Sequence, residues 1–470
     1  MTKDVEAYRV ESDTLGEMNV PAEALYGAQT ARAAANFAIS GWRMPARFLA
    51  SLANIKAAYA RAHGELGLLP PPMADAIVAA AEEVAQRVAR GDWEEHFPVD
   101  VFQTGSGTSS NMNVNEVIAH LANRRLGGKA AAHHPVHPND HVNLGQSSND
   151  VVPSAVRVAT AAAWTREARP ALAEPLSHLQ RLAHRHRQTV TLGRTHLNDA
   201  VPTTYGRVFA GWGARLAEAL AAVDRRLPRL LDLPLGGTAV GSGVGCDARV
   251  PPRAVELLRA SAGLPLTLGR GAAGIQGQET AIAFADDLAA VARVLLAVAN
   301  DLRLRASGPF GGLAELRLPA VQPGSSLMPG KVNPVIPEAV AQAAVQVEGL
   351  ASACRLTASL HQLDLSHANP LLAWNLDTMC RLLAGASSVL ARRCLAGVEV
   401  DARRARELAA ASPALATALA ARLGYERAAS VAKEAERSGE SVAAAARRLG
   451  VVPDDELPSI LDIDRLARPE

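Results

Sequence analysis

The segment Gly324-Ser-Ser-Leu-Met-Pro-Gly-Lys-Val-Asn-Pro334 sets glycines and prolines around two hydroxyls, one ammonium and one amide. Successive backbone N–H groups near glycines can form an anion-binding nest, and Lys331 adds a full positive charge beside it. An ordinary surface loop is the competing reading of the same composition. Small polar donors also gather at Ser106 and Thr108, and again at Ser147, Ser148 and Asn149. Taken singly, each suits a helix cap or a turn. His133, His134, His137 and His141 form a further cluster of metal-ligand types. Pro135 and Pro138 break any helical i, i+4 face there and no cysteine joins the histidines, so no metal is expected. Nor is a cofactor expected, because the chain carries no cofactor fingerprint.

These groups must be positioned by helices. The chain has 470 residues, enough for roughly two or three domains. Aromatic residues are 4% while Ala, Leu, Arg and Glu abound, a composition of helix formers poor in strand residues. Long stretches with few breakers run over about 154–188, 207–231 and 279–307. A fourth covers about 338–390, with Pro370 inside it as a kink or break. Helices of that length fit a bundle, and such helices seldom stay exposed in a monomer. Turn-rich polar segments lie between them: Gln103–Asn115, His133–Asp150, Gly193–Thr204, Gly236–Gly245 and Ser307–Asn333. Their composition suits backbone lying close to a ligand.

Lys plus Arg number 48 against 47 Asp plus Glu, so no global field draws the protein to nucleic acid or to an anionic membrane. Cys246, Cys354, Cys380 and Cys394 have no Cys-x-x-Cys spacing, which argues against a zinc site or a disulfide framework and for buried thiols in a reducing cytosol. The charged first residues lack the apolar core of a signal peptide. The run Leu288–Ala299, interrupted by Arg293, is too short to span a membrane. A cytoplasmic protein is expected.

Gly324 to Pro334 closely resembles the signature loop of class II fumarases, aspartases and their relatives. The resemblance extends to Gln103–Asn113, His137–Asn143, Gln146–Asp150, Gly193–Ala200 and Gly236–Gly241, in family order, and to Val20–Thr30 and Leu423–Tyr425 near the two ends. Class II fumarases of the fumarase/aspartase superfamily are the nearest wording. The resemblance implies a mainly α, three-domain subunit with a central long-helix bundle, divided at 1–145, 146–396 and 397–470. It also implies a metal-independent homotetramer with active sites shared between subunits, and a small dicarboxylate as substrate. The implied reaction is the reversible hydration of fumarate to L-malate in the tricarboxylic acid cycle, by anti addition and elimination through an aci-carboxylate carbanion.

By the same resemblance, Ser325 matches the general base, while Lys331 and Asn333 hold the substrate carboxylate on which charge develops. Ser106, Thr108, Ser147, Ser148 and Asn149 match the carboxylate-binding set. Thr195 and His196 match the segment that handles the departing or attacking group, with Glu338 orienting the histidine. Complementing a helix dipole is the competing role for Glu338. An accessory anion site falls near His137, Asn139 and Asp140, where His134 replaces a usual Arg. Phe310 also stands where the family nearly always has Arg, Leu144 where Lys is usual, and Ser366 in place of Asn. These departures leave two alternatives beside hydration: an aspartate ammonia-lyase or other lyase releasing fumarate from a substituted succinate, and an inactive lyase-derived binding or structural protein.

Overall fold

The computed structural model describes residues 7–128, 133–269 and 271–468. Helices dominate it, as the composition requires, and the strands form only two-stranded pairs. Among the described residues no helix is long and apolar enough to cross a membrane. The four cysteines are free thiols; Cys354, Cys380 and Cys394 are buried and Cys246 is half-buried.

The chain divides into two compact units. The first comprises Met1–Pro170, Ala221–Ala290 and Gln346–Leu383, the second Ala171–Leu220, Val291–Val345 and Ala384–Glu470. The helices Tyr205–Leu230, Glu279–Arg305, Val335–Leu356 and Asn369–Arg393 contribute residues to both.

In the first unit the helix Ala46–Glu65 packs on Pro71–Ala89, Ser148–Ala163 and Val250–Ala262. Pro71–Ala89 shows why such segments are helical. Its prolines fall in the first turn, where a missing N–H costs nothing. Ala74, Ile77, Val78, Ala81, Val84, Ala85 and Val88 repeat at helical spacing and are all buried. Each fully buried Val or Ile contributes about 1.5–3 kcal/mol.

In the second unit an antiparallel hairpin, Val190–Thr195 with Asn198–Thr204, is the main departure from the expected polar turn segment. A register shift between Leu192 and Arg194 absorbs Gly193. Val190 and Leu192 are buried in one core with Ala409, Leu419, Val431 and Val442 of the small C-terminal helices. Behind the hairpin, the buried Glu315 carboxylate accepts from Arg194, Arg305, Thr191 and the Tyr205 hydroxyl.

Three helix boundaries differ from expectation. Helix Thr108–Arg125 begins inside the segment Gln103–Asn115, and helix Ser148–Ala163 starts before Ser154 because Ser147 and Asp150 form a capping box. The expected stretch 338–390 is interrupted at Thr357–Ala368, by a single turn and the short pair His361–Gln362 with Leu365–Ser366. Pro370 is not the break. It stands in the first turn of Asn369–Arg393, where its ring is tolerated.

Candidate active site

In the first unit, the hydroxyls of Ser106 and Thr108 lie 2.9 Å apart at the N-terminus of helix Thr108–Arg125. The turn into this helix needs Gly107, whose φ is +81° and whose missing Cβ would stand 2.7 Å from Val152 Cγ1. The helix has no side-chain cap on Gly107 and no acidic residue in its first turn. The N–H groups of Ser109 and Ser110 are met instead by Thr104 Oγ1 at 3.1 Å and Gln103 Oε1 at 2.9 Å, so neutral side chains cap the first turn and no carboxylate offsets the positive end of the dipole.

Ser147, Ser148 and Asn149 begin the neighbouring helix. Ser147 Oγ accepts from the N–H of Asn149 at 3.2 Å, a cap that leaves its own hydroxyl proton free to donate. Ser148 Oγ accepts from Asn111 Nδ2 at 3.1 Å, so the two helix N-termini are joined by a side-chain bond. Asn149 Nδ2 donates to the carbonyl of Ala239 at 2.8 Å.

Beneath these serines lies a buried polar layer that sequence reasoning missed. Asn143 Oδ1 accepts from Lys56 Nζ at 2.8 Å and from Asn111 and Asn115, each at 3.2 Å. The carboxylate of Asp150 accepts the backbone N–H groups of Ser147, Gly236 and Thr238 at 3.0, 3.1 and 2.9 Å. Burial pushes Asp150 up to about 6, against those hydrogen bonds, and pushes Lys56 down to about 7, against the attraction of Asp150. The signal available in sequence was a lysine on the apolar stripe Leu52, Ile55, Tyr59 and Ala60 of an alanine-rich helix.

Of the expected accessory residues, Asn139 and Asp140 lie on a single wide turn, Pro138–Val142, and His137 caps its start. There the N–H groups of Asn139 and Asp140 both donate to His137 Nδ1 at 3.2 Å, so the nest is filled by the protein's own imidazole. His141 Nδ1 accepts the N–H of His137 at 2.8 Å.

In the second unit, the segment from Gly324 closes on itself. The N–H of Gly324 donates to the carbonyl of Lys331 at 2.8 Å, and Asn333 Nδ2 donates to the carbonyl of Gly324 at 2.5 Å. A Cβ at Gly324 would lie 2.7 Å from both the Asn333 nitrogen and the Lys331 oxygen, so only glycine fits this closure. Inside the loop, Ser325 Oγ accepts from the N–H groups of Leu327 and Met328 at 3.1 and 2.9 Å. Two oriented donors on a hydroxyl oxygen favour its anionic form. Lys331, in the same loop, is exposed.

Thr195 and His196 stand exposed at the tip of the hairpin, where His196 and Leu197 hold φ of +56° and +62° to make the two-residue turn. Glu338 lies in the first turn of helix Val335–Leu356. No hydrogen bond or ion pair within the chain joins His196 to Glu338 among the described residues. Of the departures, Phe310 is 96% exposed, Leu144 is half-buried, and Ser366 is buried with its hydroxyl lacking a partner. Nothing in the structure explains these three substitutions.

A family profile described as "Lyase" matches residues 16–349, and one described as "Fumarase C C-terminus" matches residues 415–468. The chain is 44% identical to a class II fumarate hydratase of Xylella fastidiosa over 97% of this chain and 94% of that protein. It is also 44% identical to a second class II fumarate hydratase, from Pseudomonas aeruginosa, over 97% of this chain and 98% of the relative. The crystal structure of class II fumarase from Schistosoma mansoni superposes with a TM-score of 0.96, at 33% identity, covering 99% of this chain and all of the other.

Proposed function

The chain belongs to the class II fumarate hydratase family of lyases, and we propose that it interconverts fumarate and L-malate, with Ser325 as the base. The observation that carries the reading is the Ser325 oxygen held by two backbone N–H groups in a glycine-closed loop that also carries Lys331. In the malate-to-fumarate direction, the Ser325 alkoxide takes the proton on the carbon next to a carboxylate, and the electron pair moves into that carboxylate. The Lys331 ammonium offsets the charge of the resulting aci-carboxylate and Asn333 donates a hydrogen bond to it. The carbon–oxygen bond on the opposite face then breaks, His196 supplies a proton to the departing hydroxide, and water leaves. Ser106, Thr108, Ser147, Ser148 and Asn149 hold the other carboxylate through neutral donors and helix N-termini. Thr195 assists His196, and an oriented Glu338 favours the cationic imidazole.

These groups act across subunits in this reading. The active species is a homotetramer whose sites are shared, and the His196–Glu338 pair forms between copies. Support comes from Val345, Leu356 and Val389, apolar side chains left exposed on two long helices of the single chain. A three-part subunit divided at 1–145, 146–396 and 397–470, a cytoplasmic location, a place in the tricarboxylic acid cycle and metal independence complete the proposal. The test is direct. The protein is incubated with fumarate, with L-malate and with L-aspartate while fumarate absorbance is followed, and its sedimentation is measured. Absence of turnover of fumarate and malate, or an active monomer, overturns it.

A further inference from the structure

Lys56 is fully buried, yet among the described residues no carboxylate is hydrogen-bonded to it. Asp150 acts on it through space, but that carboxylate is already met by three backbone N–H groups. Among the described residues the one hydrogen bond from the ammonium goes to Asn143 Oδ1. Asn143 passes this on in two directions. Its Nδ2 donates to the carbonyl of Gln146 at 3.1 Å, just before the cap residue Ser147. Its oxygen shares Asn111, whose Nδ2 also reaches Ser148 Oγ.

Burial works against a charged Lys56, and what opposes it is polar. Among the described residues Asn111 Oδ1, Asn115 Oδ1 and Gln146 Oε1 are buried acceptors without partners, and all three side chains are hydrogen-bonded to Asn143 or lie in the turn that follows it. Burying a cation is costly unless something in the fold or the ligand compensates it. A positive charge behind a helix N-terminus repels the dipole of that helix as well. Both costs fall when an anion arrives at Ser147 and Ser148. The Asn111 bond fills a lone pair of Ser148 Oγ and turns its proton outward, as an anion requires.

We propose that Lys56 is a positioning residue for dicarboxylate binding, acting through Asn143 and Asn111 to present Ser147 and Ser148 as donors and supplying a buried positive field behind them. This rests on the reading that these serines hold a substrate carboxylate.

The test is the full-length Lys56→Met variant, which keeps an unbranched side chain one atom shorter and removes the charge. Succinate, a dicarboxylate that cannot eliminate, is titrated calorimetrically into wild type and variant, and KM, kcat and thermal melting are measured in parallel. Succinate binding is expected to weaken about tenfold or more, the scale of a lost charge-assisted bond. KM should rise by a similar factor, kcat should change less than threefold, and melting should stay the same or rise. Succinate affinity within about twofold of wild type overturns the proposal. So does a fall in kcat with KM unchanged. If Lys56→Met does not assemble, Asn111→Ser carries the same criterion, since it cuts the relay and leaves the charge in place. Wild type that neither binds succinate nor turns over fumarate would instead refute the underlying functional reading.

Discussion

The hydroxyl oxygen of Ser325 sits 2.9 Å from the backbone nitrogen of Met328 and accepts its N–H. An ordinary serine is a poor base because its alkoxide is unstable in water. Here the loop supplies two fixed donors to that oxygen before any substrate arrives, and preorganised donors need no rearrangement during reaction. Ser325→Ala is expected to keep the fold and assembly and to lose about two to four orders of magnitude in kcat. KM should change far less, because the carboxylate-binding groups are untouched. Near-normal turnover would remove Ser325 from the chemistry.

Glu315 anchors the base of the hairpin that carries His196. Its carboxylate is fully buried and pairs with Arg194 at 2.8 Å and Arg305 at 3.2 Å, with the Tyr205 hydroxyl donating at 2.8 Å. Removing it leaves two largely buried guanidinium groups without their counter-charge. Glu315→Ala should therefore destabilise the protein by about 3–5 kcal/mol. Denaturant titration of the variant measures this. A loss below about 1 kcal/mol, the range of exposed pairs, would mean the cluster is not maintained in solution.

The long helices were legible because apolar periodicity without breakers is a local property. The expected 279–307 stretch and the observed Glu279–Arg305 differ only at the end. The hairpin was not legible. Gly193, Asn198, Asp199 and Pro202 are weak strand residues, and the strands owe their place to the C-terminal core packed on Val190 and Leu192. The family wording named Ser325, but only the folded loop shows which N–H groups reach its oxygen. Lys56 escaped notice for a related reason. Its importance lies in burial and in Asn143, far from it in sequence.

The buried pair gives stability a definite pH dependence. An ordinary Asp titrates near about 3.9 and Lys near about 10.4, whereas burial holds Asp150 at about 6 and Lys56 at about 7 in the fold. Between about pH 4 and 6 the folded protein binds the extra proton on Asp150, so that contribution is lost as pH rises through the window. Above about pH 7 the unfolded chain holds the extra proton on Lys56, so stability from this group grows with pH. Thermal melting of wild type and Lys56→Met is therefore expected to differ most below about pH 7, in favour of the variant. The gap should narrow toward about pH 9. A constant gap would contradict the burial of a titrating Lys56.

The leaving group separates hydration from deamination. A departing hydroxide must be protonated, which suits a histidine cation and hydroxyl donors. An amino group that is already cationic needs acceptors instead. The Ser106 and Thr108 hydroxyls lie at a helix N-terminus with no acidic residue in its first turn. The carboxylate of Asp150 beneath the neighbouring helix is filled by three backbone N–H groups, so it offers little to an ammonium. L-malate should accordingly be turned over at least about a hundredfold better than L-aspartate at neutral pH, the scale on which a polar site rejects the wrong partner. Fumarate absorbance from each substrate in turn measures the ratio. Comparable rates would overturn the choice of water as leaving group and leave the family assignment intact. If both substrates were inert and another substituted succinate released fumarate, Phe310, Leu144 and Ser366 would be the first positions to restore to the family residues.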